Sequence, residues 1–158
     1  MNWRGETTIK DRIFACLPYA LPLISVIGFG RFLLQQFPPL QLLFLPLTPV
    51  MFIYRQIPFA GIVVFFLLFL LVVRNERIVH FIRFNAMQAI LLDIALTLCS
   101  LLLSVLSPAL GAGLIIQTIF NIIFLSTLVA CGYAIVQSLL GRYAEIPTIS
   151  EAVYAQVR

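Results

Sequence analysis

The chain has 158 residues, of which 62% are hydrophobic and 10% are charged, and its mean hydropathy is +1.09. Since roughly a quarter of the residues in soluble domains are charged, this composition excludes an ordinary soluble domain and indicates an integral membrane protein. The net charge of +4 then concerns orientation in the lipid bilayer, and we expect no nucleic acid partner. Residues 1–158 leave room for several spans with short loops, so we predict a single membrane domain.

The first membrane span is predicted at residues 13–31, after a polar N-terminal stretch. Thr8 and Asp11 have the spacing of a capping box, which predicts that a helix begins there. Pro18 and Pro22 each remove a backbone hydrogen bond from this span, so we expect the span to bend.

A proline-rich segment, residues 37–54, comes next and carries no charge. Its prolines are Pro38, Pro39, Pro46 and Pro49. Four prolines argue against a straight crossing of the bilayer, so we predict a re-entrant or interfacial segment. The second span is predicted at residues 57–74, with Pro58 in the first turn of its helix.

Two further spans are predicted at residues 84–107 and 113–140. Asp93 is the only charged residue between Phe84 and Gly141, and this stretch is long enough for two crossings. The turn between the two spans is marked by Ser107, Pro108, Gly111 and Gly113. We therefore predict a tight helical hairpin.

The C-terminal tail, residues 142–158, is polar. Thr148 and Glu151 repeat the capping-box spacing, which predicts a short surface helix in the tail. Taken together, the elements predict an all-α integral membrane protein with four transmembrane helices and one proline-rich re-entrant or interfacial segment.

The distribution of Lys and Arg favours four spans, since cytoplasmic-type faces carry the excess of basic residues. If the proline-rich segment does not cross, only Arg31 and Arg55 lie on one side. The other side then holds Arg4, Lys10, Arg12, Arg74, Arg77, Arg83, Arg142 and Arg158. If the segment crossed, the bias would point the other way, so we expect both termini on the positive side.

A candidate site lies in the stretch from Arg83 to Asp93, which also contains Asn85 and Gln88. A helix rises 1.5 Å per residue, so Asp93 lies about 15 Å beyond Arg83, near the middle of the hydrocarbon core. A carboxylate there costs roughly 2.5 to 3.5 kcal/mol and usually faces protein or water. Asp93 is therefore the residue with the strongest claim to a function.

Small polar side chains continue from Asp93 along the third span. Asp93, Thr97, Ser100 and Ser104 fall within an arc of about 60° on a helix. Such a stripe has two interpretations: interhelical packing through hydrogen bonds, which we favour, or the lining of a wet path. Gln117 and Asn121 on the fourth span have the same two interpretations.

The hairpin predicts which residues of the third and fourth spans meet. A turn at about residue 110 places Asp93 beside Ser126 and Thr127. It also places Ser100 and Ser104 beside Asn121 and Gln117. We expect Asp93 to hydrogen-bond the fourth span and to stay neutral unless water reaches it.

Three polar residues near the start of the third span are expected to lie at the membrane interface. Arg77 and Arg83 are predicted interfacial anchors, with a basic mouth for an anionic partner as the alternative. His80 has no ligand-spaced companion, so we interpret it as an interfacial polar residue. Because the sequence shows no nucleophile and base pair, phosphate loop or metal set, we expect neither an enzyme nor a cofactor.

Several motifs resemble the Tic-twenty family over nearly the whole chain. They are LPYALP at 17–22, Gly28 and Gly30 before Arg31, VRN at 73–75, RFNAMQA at 83–89 running to Asp93, and GRY at 141–143 with Pro147. The resemblance implies a four-span subunit of the Tic protein-import translocon of the chloroplast inner envelope, or its cyanobacterial relative. No transit peptide precedes the first predicted span, which favours a plastid-encoded or cyanobacterial member.

The resemblance also implies partners and a location. The expected partners are other translocon membrane subunits, precursor polypeptides and the lipid bilayer. The expected location is the plastid inner envelope or the cyanobacterial inner membrane, with both termini on the stromal or cytoplasmic side. The alternatives from the residues alone are an autonomous ion or proton channel or transporter that uses Asp93, and a scaffold that only holds partners together.

Overall fold

A computed structural model describes residues 6–157, and every regular element within that range is helical. Arg4 and Arg158, which the charge count above includes, lie outside the described residues. The α-helices are α1 (Ile9–Cys16), α2 (Ala20–Val26), α3 (Arg31–Gln36), α4 (Thr48–Gln56), α5 (Ala60–Leu68), α6 (His80–Leu110), α7 (Leu114–Leu139) and α8 (Ile149–Gln156). Two 3-10 helices, Leu17–Tyr19 and Pro38–Leu47, and a π-helix, Phe69–Val73, complete the described chain.

Two helices, α6 and α7, are each long and apolar enough to cross a membrane. A third candidate is the pair Pro38–Gln56 and Ala60–Val73, which is bent by 109° and fits either a broken span or a re-entrant loop. The predicted first span is divided into pieces of eight, three and seven residues, each shorter than the ~20 residues of a straight crossing. Among residues 6–157, two helices thus have the length and composition of a span, or three if the bent pair forms one.

The first helical stretch begins where the sequence predicts and is interrupted at one of its two prolines. The Asp11 backbone N–H donates to Thr8 Oγ1 at 3.2 Å, and the Thr8 backbone N–H donates to Asp11 Oδ2 at 2.9 Å. This reciprocal pair confirms the capping box. The interruption is the 3-10 turn Leu17–Tyr19, which contains Pro18, because proline cannot donate the bond that a continuous α-helix needs. Pro22 lies inside α2 and does not end that helix.

The second predicted span departs from expectation at both ends. Its helix begins at Ala60, so the prediction of Pro58 in the first helical turn is wrong. Phe59, the residue before the helix, has a φ of 56°, and this left-handed backbone separates Pro58 from the helix. The last turn, Phe69–Val73, is a π-helix in which the Arg74 N–H donates to the Phe69 carbonyl at 3.0 Å.

The hairpin of α6 and α7 turns later than predicted. Helix α6 continues through Pro108 to Leu110, and the connection is the short segment 111–113. Gly111 has a φ of 71°, a conformation that glycine adopts without the steric cost of a Cβ atom. The glycine therefore ends the helix and the proline does not.

The tail forms the predicted helix, but the predicted capping box is absent. Thr148 has a φ of 70° and makes no side-chain cap, because a residue in that conformation does not hold its hydroxyl over the first turn. Helix α8 packs on α6 through Val153 and Val157, which are buried with Phe84 and Ile90. The tail therefore obtains its stability from protein contacts as well as from any contact with the membrane surface.

Candidate functional site

The RFNAMQA motif places two amide side chains in the interior of the helix assembly. Asn85 and Gln88 are both 0% exposed, as are Tyr19 and Ser138. We call these four residues the polar node. They come from the 3-10 turn before α2, from α6 and from α7, so they join three segments that are far apart in the sequence.

Asn85 is the centre of the polar node. Its Oδ1 accepts hydrogen bonds from the Tyr19 hydroxyl at 2.8 Å and from Ser138 Oγ at 2.9 Å. Its Nδ2 donates to the Phe81 carbonyl at 2.8 Å, one turn earlier on the same helix. Both ends of the Asn85 amide are therefore satisfied, as burial in an apolar environment requires.

Gln88 extends the polar node to the segment after α7. Its Nε2 donates to the Tyr19 hydroxyl and to the Ala144 carbonyl, both at 3.0 Å. Because a carbonyl only accepts, the Ala144 contact fixes which end of the Gln88 amide faces it. The opposite atom, Gln88 Oε1, is buried and has no hydrogen-bond partner among residues 6–157.

Arg83 and His80 of α6 contact segments that lie next to the start of that helix: the end of the π-helix and the C-terminal tail. Arg83 is 9% exposed, and its Nε donates to the Val73 carbonyl at 2.9 Å, at the end of the π-helix. This hydrogen bond directs Arg83 Nε to backbone, and the position of Arg83 at the membrane interface, as an anchor or as a basic mouth, stays a prediction. His80 Nδ1 lies 3.0 Å from the Tyr143 hydroxyl, and its Nε2 lies 3.3 Å from the Val157 carbonyl.

Asp93 pairs with the first helical stretch and not with the fourth predicted span. The Ser25 hydroxyl on α2 donates to Asp93 Oδ1. The predicted meeting with Ser126 and Thr127 is not observed, because α2 packs against this face of α6. Sequence spacing cannot reveal which neighbour covers a given helix face.

The hydroxyls that follow Asp93 mostly bond their own helix. Thr97 Oγ1 donates to the Asp93 carbonyl at 3.0 Å, and Ser104 Oγ donates to the Leu101 carbonyl at 2.7 Å. Both side chains are exposed, as is Ser100. No interhelical hydrogen bond of these three hydroxyls appears among the bonds of residues 6–157.

The same hydroxyls line a cavity of about 540 Å³ between α2 and α6. The cavity residues contributed by α7 are Ile116 and Phe120, and not the predicted Gln117 and Asn121. The difference follows from the hairpin turn, which lies at 111–113 and shifts the register of α7. Asn121 Oδ1 is buried elsewhere, without a hydrogen-bond partner.

A second cavity of about 460 Å³ lies on the other side of Ser25 and Asp93. Its walls also include Tyr54 of α4, Phe65 of α5 and Thr97 of α6. Ser25 and Thr97 line both cavities. We call the two cavities together the Asp93 groove.

Sequence reasoning did not identify Tyr19, Ser25 or Ser138 as site residues. The sequence could have pointed to Tyr19, since it lies between Pro18 and Pro22 in the LPYALP motif that resembles the family. Ser25 and Ser138 look like ordinary small residues of membrane helices, and only their tertiary partners distinguish them. Within residues 6–157, no three His, Cys, Asp or Glu side chains come close enough together to hold a metal ion.

Comparison with known proteins places these features in a family. The family described as "Chloroplast import apparatus Tic20-like" matches residues 8–153. The Tic20 family protein of Synechocystis sp. (strain ATCC 27184 / PCC 6803 / Kazusa) is 56% identical over 151 residues, covering 94% of each chain. Protein TIC 20-II, chloroplastic, of Arabidopsis thaliana is 38% identical over 154 residues, covering 96% of this chain and 74% of the plant protein. The chain is thus a member of the Tic20 family, whose relatives occur in chloroplasts and cyanobacteria.

Proposed function

We propose that the chain is a membrane subunit of a protein-import translocon, in the plastid inner envelope or an equivalent cyanobacterial membrane. The observation that carries this proposal is the family match, which extends over residues 8–153 and includes the whole polar node. The expected partners are other translocon membrane subunits and precursor polypeptides. The role is non-catalytic: the chain contributes to the passage of precursors or to assembly of the complex.

The fold supports a role in assembly through its outer surface. Large apolar side chains remain exposed along both long helices, such as Leu101 and Val105 on α6 and Ile122 and Val129 on α7. Such surfaces face lipid or neighbouring membrane helices. The exposed apolar side chains of α6 and α7 therefore provide a contact surface for partner subunits.

Four crossings with both termini on the stromal or cytoplasmic side remain our proposal for the topology. It is supported by the clustering of basic segments: Arg12 and Arg142 line one cavity with Glu6 at one end of the molecule. Arg31 lies at the other end, beside Ser107 and the hairpin turn. In this arrangement α1 and α2 together form the first crossing, and the proline-rich 37–54 segment does not cross.

Cysteine labelling tests this topology. In a background with Cys16, Cys99 and Cys131 replaced by alanine, single cysteines at Glu6 and Arg77 should react with a membrane-impermeant maleimide from the same face. A cysteine at Arg55 should react from the opposite face. Labelling at positions 6 and 77 from opposite faces would contradict the four-span arrangement.

The Asp93 groove supports the interpretation that Thr97, Ser100 and Ser104 line a wet path. The hydroxyls lie along an open cavity, where water or a passing polar segment has access to them. Asn85, Gln88 and Arg83 have structural partners instead. We therefore propose that the groove contributes to function and that the polar node holds the groove walls in place.

Site-specific crosslinking in the native membrane tests the translocon role. A photo-reactive residue at Leu101, which is exposed, should give adducts with larger membrane subunits or with precursors during import. The same residue at buried Ala134 is the matched control and should give none. Absence of adducts at Leu101, together with ion conductance of the purified chain alone, would contradict the proposal and favour an autonomous channel.

A further inference from the structure

The part of the Asp93 groove next to α5 opens toward lipid. Its rim carries Ile62, Phe66 and Leu98, which are 57%, 51% and 61% exposed. These side chains belong to α5 and α6, on the outer surface of the helix assembly. An occupant can therefore enter this cavity sideways, from within the bilayer.

The Asp93 carboxylate in this cavity has no cationic neighbour. Within residues 6–157, the only side chain that hydrogen-bonds it is Ser25, and no Lys, Arg or His lines the cavity. Carboxylates at this depth are costly and usually pair with a basic group or face water. Within the described residues, Asp93 therefore remains available to a basic group from another molecule.

Aromatic side chains in the same cavity also suit a cation. Phe65 and Phe66 lie edge to face, with ring centroids 5.2 Å apart, and Tyr54 lines the same cavity. Gly61 leaves space for Tyr54, since a Cβ atom at Gly61 would lie 2.9 Å from the Tyr54 hydroxyl. A basic side chain attracted by the carboxylate would meet ring faces that also attract cations.

The surface of α6 beyond the cavity suits a helix. Leu98, Leu101, Leu102 and Val105 are 60% to 75% exposed and follow the i, i+3, i+4, i+7 spacing of one helix face. Leu98 belongs both to this stripe and to the wall of the cavity that contains Asp93, so a transmembrane helix lying along the stripe would pass the mouth of that cavity, and a long basic side chain would extend from it toward Asp93. The carboxylate and the apolar stripe together define both the depth and the chemistry of the occupant.

We propose that the cavity of the Asp93 groove next to α5 is the docking site for a transmembrane helix of a partner protein that carries a lysine or arginine near its middle. The other cavity of the groove, which Arg31 and the hydroxyls of Thr97, Ser100 and Ser104 line, is not part of this site. The proposal deepens the proposed function, and rests on it, by naming the kind of membrane partner that the subunit contacts. It requires no import activity of the chain itself.

Model helices in vesicles test this docking. The purified full chain is reconstituted in phosphatidylcholine vesicles with a fluorescent Leu/Ala-rich transmembrane peptide that has one central lysine, and association is measured by energy transfer. The matched peptide has leucine at that position. We expect the lysine peptide to bind about tenfold more tightly, in the range of interhelical polar contacts in lipid.

Variants of the chain identify the acid that is responsible. Asp93→Asn should abolish the preference for lysine, Asp93→Glu should retain it, and Glu76→Gln, in the loop before α6, should leave it unchanged. Equal binding of the two peptides would mean that lipid fills the cavity, and it would overturn the proposal. A lysine preference that survives in Asp93→Asn would overturn it as well. Since the translocon role is measured by crosslinking in native membranes, either proposal can fail without the other.

Discussion

Helix α6 contributes Asn85 to the polar node and Asp93 to the Asp93 groove, about 12 Å apart along the helix axis. The hydrogen bonds of the two side chains are completed in different ways. In the node, Asn85 is fully buried and makes three hydrogen bonds. In the groove, the Asp93 side chain is partly exposed and accepts one hydrogen bond from within residues 6–157, that of Ser25. The comparison teaches that a polar residue in a membrane helix is structural where its bonds are completed within the chain and available for partners where they are not.

The largest effect should come from removing the centre of the node. Asn85→Ala leaves the Tyr19 and Ser138 hydroxyls without their shared acceptor, and we expect a loss of about 2 to 3 kcal/mol in the free energy of unfolding. The measurement is SDS-induced unfolding of the purified protein in mixed micelles. Ser104→Ala in the groove is the control and should change stability by less than ~0.5 kcal/mol. Equal losses in the two variants would remove the distinction between node and groove.

Two glycines sharpen the comparison at the groove wall. A Cβ atom at Gly30 would lie 2.5 Å from the buried ring of Phe124, whereas at Gly28, which lines the groove, the nearest atom would be 3.9 Å away. We expect Gly30→Ala to destabilise by about 1 to 3 kcal/mol through overpacking and Gly28→Ala to have little effect. The same SDS titration compares them. A tolerated Gly30→Ala would show that the wall behind the groove is loosely packed.

Substitution of Asp93 should have the smallest effect on stability. Asp93→Asn keeps an acceptor for Ser25, so we expect a change below ~0.5 kcal/mol. Asp93→Leu removes that acceptor and should cost about 1 kcal/mol, near the average for interhelical hydrogen bonds in membranes. Both variants are compared with wild type in the same micelles. A loss in Asp93→Asn as large as that in Asn85→Ala would mean that Asp93 is structural too.

Some local features follow from the sequence because their causes are local. The Thr8 capping box, the 3-10 turn at Pro18 and the α6–α7 hairpin all depend on residues within a few positions of each other. The capping box at Thr148 and the helix start at Pro58 fail, because Thr148 and Phe59 adopt positive φ angles that the spacing does not reveal. The partners of Asn85 and Asp93 depend on which segment covers each face of α6, and that information is not local. A hairpin turn at 111–113 and not at about 110 was enough to displace the predicted pairs on α7.

The burial of the RFNAMQA residues could not be predicted from the sequence either. Its basic and amide residues predict an interface or a path, yet Arg83 and Gln88 are turned inward to the carbonyls of Val73 and Ala144. The Val73 carbonyl lies at the end of the π-helix and the Ala144 carbonyl in the non-helical segment after α7, where backbone acceptors have no helical partner. A search for buried polar residues near such ends would have suggested the structural role.

The most direct test of the division between node and groove is a pair of double-mutant cycles for the free energy of unfolding. One cycle combines Tyr19→Phe with Asn85→Ala, and the other combines Ser25→Ala with Asp93→Leu. We predict a coupling energy of at least ~1 kcal/mol between Tyr19 and Asn85 and about half of that or less between Ser25 and Asp93. No measurable coupling between Tyr19 and Asn85, or a larger coupling between Ser25 and Asp93, would contradict the assignment of the node to structure and the groove to partners.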